Sequence, residues 1–191
     1  MDNEHRKPSR APVTAPRDFC GDFCGDFDIR IAADGTWLYR GSPIARMALV
    51  RLFASVLKRD VAGDYWLETP AERGRIQVDD APFVAVELDV EGVGRAQRLH
   101  FRTNIDDKVT ADRQHPIHVR AAGGPDDDTG RPYIRLRDGI EALIARPVFY
   151  ALVDLAEEQP VDGRPQIGVW SSGSFFPLVP AETSVVSPWP C

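Results

Sequence analysis

One order of elements occurs twice along this chain: strand, Asp-Gly turn, strand, helix, and a strand carrying a tryptophan. In the first copy Asp28-Ile29-Arg30-Ile31 alternates polar and apolar, Asp34-Gly35 supplies a hairpin turn, and Trp37-Leu38-Tyr39 returns. Gly41-Ser42-Pro43 then reads as an N-cap serine with proline at the first helical position. Leu49, Leu52, Phe53, Val56 and Leu57 follow at the spacing of an apolar helical stripe. Tyr65-Trp66-Leu67-Glu68-Thr69 is the strand behind that helix. In the second copy the same places are taken by Tyr133-Ile134-Arg135-Leu136, Asp138-Gly139, Ile140 to Ile144, a helix opened by Pro147, and Gln166-Ile167-Gly168-Val169-Trp170. The second helix carries Phe149, Leu152, Val153 and Leu155 on its stripe, and Glu157 and Glu158 close it before Pro160. Ile44-Ala45-Arg46 also recurs as Ile144-Ala145-Arg146. These matches predict an α+β fold made by internal duplication of a strand-strand-helix-strand unit. Such units are also common in α+β proteins, so coincidence is the alternative.

Between the copies, Gly74 to Val78, Phe83 to Val90 and Gln97 to Arg102 read as further strands. Glu91-Gly92-Val93-Gly94-Arg95 is a hairpin turn: a dinucleotide loop would need a third glycine and a helix after it. The stretch from Ala121 to Gly130, with Gly-Gly-Pro and three aspartates, is a loop without the alternating ligand spacing of a calcium site. Residues 1–18 carry almost nothing to bury and structure is expected to begin near Asp26, so 1–25 are assigned to a disordered tail. The expected units are residues 26–95 and 96–180, with 181–191 as a second loose tail.

At 191 residues a globular chain buries roughly 70% of its unfolded surface, so neither disulfide nor metal is required for folding. The formal net charge of −6 argues against nucleic acid as a partner. No apolar run is long enough to span a membrane and the start lacks the apolar region of a secretory signal, so the expected compartment is the cytoplasm. Cys20 and Cys24 sit in a doubled Phe-Cys-Gly-Asp, and Cys191 is the last residue, which is not a disulfide framework. A zinc site joining the two cysteines to His115 and His118 is a minor alternative to reduced thiols beside a loop. No cofactor and no metal are expected.

Nucleophile-elbow, phosphate-loop and zinc-protease motifs are all missing. What carries a hint is the arginine at each helix start, Arg46 and Arg146, where the helix dipole disfavours a cation. Backbone N–H groups beside a guanidinium suit an anion. An internal salt bridge to Asp26, Glu72 or Asp80 is the alternative. The polar loop from Thr69 to Arg75 has the character of a pocket rim.

Taken as a set, Cys24-Gly25-Asp26, Asp34-Gly35-Thr36-Trp37, Gly41-Ser42-Pro43-Ile44, Thr103-Asn104, His115-Pro116, Arg146-Pro147-Val148-Phe149-Tyr150 and Gly168-Val169-Trp170-Ser171-Ser172-Gly173 resemble a bacterial family catalogued as domain of unknown function 1285. The resemblance runs from about Cys24 to Leu178. It implies a duplicated fold, a C-terminal half loosely similar to pleckstrin-homology-like domains, a site for a nucleotide-like molecule between the halves, and a part in signal transduction.

The expected function is a ligand-binding or sensor module for a small anionic ligand held between the halves. Arg46, Thr69, Glu72, Arg73, Asn104, Asp106, His115, Arg146, Tyr150, Trp170 and Ser171 are its candidate lining. Arginines would hold the anion, Tyr150 or Trp170 would stack on a flat ring, and Asn104 or Ser171 would donate hydrogen bonds. An enzyme using His115 with Asp106 as base and orienter, or a module docking a protein partner, are the alternatives.

Overall fold

The computed structural model describes residues 23–121, 130–161 and 163–178. The N-terminal half comprises β1 (Phe23–Ile31), β2 (Trp37–Tyr39), β3 (Ser42–Pro43), α1 (Met47–Ser55), β4 (Leu57–Arg59), β5 (Tyr65–Glu68) and β6 (Glu72–Val78). The rest comprises β7 (Phe83–Glu91), β8 (Arg98–Thr103), β9 (Lys108–Thr110), β10 (Ile117–Ala121), β11 (Gly130–Arg137), β12 (Ile140–Ile144), α2 (Arg146–Asp154), β13 (Glu157–Val161), β14 (Arg164–Ser171) and β15 (Ser174–Pro177).

The first six strands form one sheet in the order β3-β2-β1-β6-β5-β4. A second six-stranded sheet runs β10-β11-β12-β7-β8-β9, and β13-β14-β15 form a third. In both six-stranded sheets the outer strands pair antiparallel, while a central pair is parallel: β1 with β6, and β12 with β7. Sheet membership changes between Val78 and Phe83, earlier than the 95/96 division expected from the sequence, because β7 pairs with β8 and β12. The α+β reading with two similar halves holds, in a chain dominated by strands.

The repeated unit is longer than the pattern indicated. Each copy is a hairpin, a nine-residue helix and then a three-stranded antiparallel meander, β4-β5-β6 in one and β13-β14-β15 in the other. Trp66 and Trp170 both sit on the middle strand of their meander, each beneath an arginine: Arg73 lies 4.1 Å from the Trp66 ring centre and Arg95 lies 4.9 Å from that of Trp170. Glu157 and Glu158 therefore open β13 instead of closing a helix.

Ser42 and Pro43 do not cap α1. Arg40 and Gly41, with φ of 50° and 76°, turn the chain so that Tyr39 faces Ser42, and Ser42-Pro43 becomes an edge strand where proline's missing donor costs nothing. The helix begins later, behind an extended Arg46 that makes no side-chain cap.

The helical stripes match the expectation in part: Phe53, Val56 and Leu57, and Phe149, Leu152 and Leu155, pack on the core, while Leu49, Leu52 and Val153 do not. In α1 the buried positions are Val50 and Ala54, one turn apart, while Leu49 is exposed and Leu52 is 60% exposed. The helix offers only a narrow seam, with Phe53 stacked 6.3 Å from Trp37 and Arg51 donating to the Ile105 carbonyl at 2.9 Å. In α2 Val148 and Leu152 are buried, Phe149 is half-buried, and Val153 and Tyr150 are exposed.

One apolar core spans both halves: Ile29, Ile31, Trp37, Leu67 and Ile76 join Phe83, Leu99, Phe101, Ile134, Leu152 and Val169. Residues 23–25, expected in a tail, belong to β1, where Gly25 faces Gly74. Ala121 and Gly130 pair at the ends of β10 and β11, and the Gly-Pro-Asp stretch between them lies outside the described residues, as do Cys20 and the 181–191 tail. Among the described residues no helix is long and apolar enough to cross a membrane.

Candidate functional site

The residues singled out from the sequence are dispersed over the structure. Arg46 and Arg146 stand exposed at the two helix starts, and neither guanidinium has an ion pair or side-chain hydrogen bond among the described residues. Asp26, Glu72 and Asp80 are not their partners. Thr69 and Glu72 close the β5–β6 turn, where the Thr69 amide donates to the Glu72 carbonyl at 2.8 Å and the Glu72 amide donates to the Thr69 hydroxyl at 3.0 Å. Arg73 is 5% exposed, packed on Trp66 and 3.7 Å from Glu68.

Others hold the two halves or adjacent strands together. Asn104 donates to the Gly35 carbonyl and accepts from the Val84 amide, each at 3.1 Å. Asp106 is ion-paired with Arg51 of α1 and with Arg102. Ser171 is fully buried: its Oγ accepts from the Leu99 amide at 3.0 Å and donates to the Ala111 carbonyl at 2.6 Å. The partner of His115 is Asp112 at 3.1 Å, so the His115–Asp106 pair of the enzyme alternative is not formed. His118 lies instead 5.8 Å from the Tyr133 ring and 3.3 Å from Glu141. Tyr150 projects from α2, and Trp170 is packed between Arg95 and Phe175. Only Asn104 with Asp106, Thr69 with Glu72 and Arg73, and Trp170 with Ser171 are brought together, each within its own loop or strand.

A cleft of about 950 Å³ lies elsewhere, over the polar side of β1, β6 and β5, and none of the candidate ligand contacts lines it. Its position follows from the β1–β6 pairing. Asp26 faces Arg75 and Arg30 faces Gln77, so β1 carries extra residues between two points that are close together on β6. The surplus, Phe27 to Ile29, departs from the ladder, as chain does at a bulge. Phe27 seats its ring over Gly74, where a side chain would come within 2.3 Å of it.

Most charges around the cleft are already matched. Arg75 donates to Asp26 at 2.8 Å, Arg30 to Asp79 at 2.7 Å, and Asp80 accepts from Arg131 and, at 2.7 Å, from the Tyr133 hydroxyl. Burial and the Asp80 hydrogen bond push the Tyr133 phenol up to about 12. Tyr65, which lines the cleft, is also raised by burial, against the lowering effect of Arg59.

Three charged groups of the lining remain without an ion pair among the described residues: Arg59, Asp28 and Asp64. Arg59 is positioned by its Nε donating to the Gly63 carbonyl at 3.3 Å, with its guanidinium 5.3 Å from the Tyr65 ring centre. Its stem lies against Gly139 in the β11–β12 turn, where an added side chain would stand 3.1 Å from the Arg59 Cβ. The cleft thus lies on the N-terminal half, but Arg59 and Asp80 tie its wall to the second. Alternation along Asp26, Asp28 and Arg30, and along Arg75 and Gln77, marks the polar faces; that β1 and β6 lie side by side has no local signal.

A second cleft, of about 470 Å³, crosses β7, β8 and β9 between Glu87, His100, Arg102 and Lys108. Its Arg102 is paired with Glu87, and His100 with Thr110 at 2.8 Å. Among the described residues no group of three or more His, Cys, Asp or Glu is placed to hold a metal ion.

The fold and this cleft define a two-part, strand-rich α+β protein with a polar groove on its first part. Residues 16–81 match the family model described as domain of unknown function (DUF1285), N-terminal domain, and residues 82–178 match that of the C-terminal domain. The chain belongs to the DUF1285 family. A crystal structure of a DUF1285 family protein from Silicibacter pomeroyi DSS-3 is similar at 48% identity, with 91% of each chain covered and a TM-score of 0.75. Another, from Shewanella baltica OS155, is 26% identical over 66% of this chain and 91% of that one, with a TM-score of 0.52. No curated protein matches.

Proposed function

We propose that this chain is a cytoplasmic binding module that takes a small ligand bearing an anionic group into the β1–β6–β5 cleft. The observation that carries the reading is Arg59, a cation on the wall of a roughly 950 Å³ cleft with no carboxylate of its own among the described residues. The volume falls in the range of small-molecule sites. Arg59 offers a planar donor fork and Tyr65 beside it offers a ring face, the pair of features that hold a phosphate or carboxylate next to a flat group. The anchor in this proposal is Arg59 in place of Arg46 and Arg146, which do not line the cleft.

A role in signalling follows as part of the same proposal. A ligand that draws the Arg59 guanidinium forward shifts the stem that lies on Gly139, and so alters the contact between the halves. The loosely pleckstrin-homology-like C-terminal half is, in this reading, the part that passes that change to a partner.

The test is a thermal-shift screen of phosphate, nucleotides, dicarboxylates and small zwitterions on the wild-type protein and Arg59→Gln. A ligand at ~100 Kd should add about 2.7 kcal/mol of stability. The reading requires at least one compound to raise the wild-type midpoint and to lose that effect in Arg59→Gln. No stabilising compound, or one whose effect survives the substitution, overturns it.

A further inference from the structure

The residual charge of the cleft has two signs, and this restricts the ligand further. Of the lining groups, Asp26 is satisfied by Arg75, Arg30 by Asp79, and Asp80 by Arg131 and Tyr133. What is left is Arg59 on one wall and the carboxylates of Asp28 and Asp64, with the uncommitted side-chain amide of Gln77 on β6. Asp28 sits on the segment of β1 that leaves the ladder; its carbonyl accepts from the Arg40 amide, while its carboxylate makes no hydrogen bond among the described residues. Asp64 follows Gly63, the residue whose carbonyl orients Arg59, and its charge acts on Arg75 without forming an ion pair. A purely anionic ligand would be held at Arg59 but would meet two carboxylates, and like charges facing each other across a cleft are unfavourable.

We infer that the ligand of this cleft is a small zwitterion, with a carboxylate or phosphate at Arg59 and an ammonium group at Asp28 and Asp64. The inference rests on the reading of the cleft as a binding site and narrows its chemistry. A free amino acid, a short unblocked peptide and a phosphorylated amino alcohol share these two charges. A cleft of about 950 Å³ leaves room for the peptide.

The experiment is isothermal titration of the full chain with L-alanine, trialanine and phosphoethanolamine, each beside its N-acetylated form, and with trialanine amide. The expected result is that at least one unblocked compound binds and that acetylation of its amine weakens binding by about tenfold, the scale of one charge-assisted contact. Asp28→Asn and Asp64→Asn, near-isosteric changes at carboxylates without an ion pair among the described residues, should remove that preference while leaving the melting midpoint of the free protein in place. Arg59→Gln should abolish binding of blocked and unblocked forms alike. Equal affinity for a compound and its N-acetyl form, or an undiminished preference in both Asn variants, overturns the zwitterion while leaving the cleft as an anion site. Absence of binding by every probe overturns the inference and counts against the cleft itself.

Discussion

The side-chain amide of Asn104 reaches across from the β8–β9 loop to the carbonyl of Gly35, 3.1 Å away in the β1–β2 turn. The same side chain accepts from the Val84 amide, so one residue satisfies backbone groups in both halves. Gly35 is required for this approach: it has φ of +82°, and an added side chain would stand 2.6 Å from the Asn104 amide nitrogen. Asn104→Ala leaves a donor and an acceptor without partners, a loss of about 1–3 kcal/mol. Urea denaturation should show the midpoint lowered with the slope unchanged; a stability equal to wild type would mean that this bridge contributes nothing.

Arg137 makes a second bridge. From the end of β11 it donates to the carbonyl of Ala54 in the last turn of α1 at 2.6 Å, with that of Leu57, the first residue of β4, 3.4 Å away. A cation there both supplies donors for the last carbonyls and complements the helix dipole. Because α1 buries little besides Val50 and Ala54, Arg137→Met should loosen it by about 1–2 kcal/mol. Hydrogen exchange is the direct measurement: α1 amides should speed up while those of β7 keep their protection.

Gly74 lies beneath the Phe27 ring, and alanine there would place its methyl 2.3 Å from the ring carbons. Overpacking of this kind costs about 1–3 kcal/mol. Gly74→Ala should therefore lower the melting midpoint, and Phe27→Leu on the same background should restore part of it. If the double variant is no more stable than Gly74→Ala alone, the clash lies elsewhere.

Alkali tests the Asp80–Tyr133 contact. The folded phenol is raised to about 12 from an ordinary value near 10, so its neutral form is the one the fold favours. The stabilisation is complete below pH ~10 and is lost as pH rises toward 12. Absorbance titration at 295 nm should show one tyrosine fewer resisting ionisation in Tyr133→Phe than in the wild type, and the variant should lose less stability between pH 10 and 12.

Acid tests the β4–β5 turn. Burial works against ionisation of Asp60, yet donors from Trp66 at 2.9 Å and from the Asp64 and Ala62 amides, with the nearby Arg73 charge, hold its carboxyl below the usual range. This stabilisation is present above pH ~4 and disappears as pH falls through the lowered folded value. Asp60→Asn should flatten the acid limb of the stability curve and shift Trp66 fluorescence; an acid limb identical to wild type would refute the assignment.

Local chemistry was the part of this fold that a reader of the sequence can see. Asp34-Gly35 and Asp138-Gly139 turn the chain where their residue types demand, with Gly35 and Gly139 at positive φ. The turns at Arg40-Gly41 and Ser172-Gly173 carry no such signal because Arg and Ser occupy left-handed positions usually given to Asn, Asp or Gly. That hid the β2–β3 hairpin and made Ser42 look like a helix cap. The helix stripes are legible in the main but too wide, since Leu49, Leu52 and Val153 are as apolar as the stripe residues that point inward. As for the cleft, its walls come from β1, β4, β5 and β6, and no motif connects Asp28 to Arg59. Ser171, Asn104 and Arg73 read from the sequence as ligand contacts; the structure uses them to satisfy backbone or to cover Trp66.

The parallel pairing of β1 with β6 sets the order in which the N-terminal half can be completed. Asp26 and its partner Arg75 are 49 residues apart, and everything that intervenes is a hairpin, a helix and two strands that can form from their neighbours alone. During synthesis β1 is made first and is left holding one free edge until β6 emerges; β7 waits in the same way for β12. The earliest strand of each central pair is thus the one exposed longest to wrong partners, and non-local pairings of this type are slow to form. Asp26, Asp28 and Arg30 punctuate the waiting edge of β1 with charge, a deterrent to stray strands well before any of them stands beside a cleft.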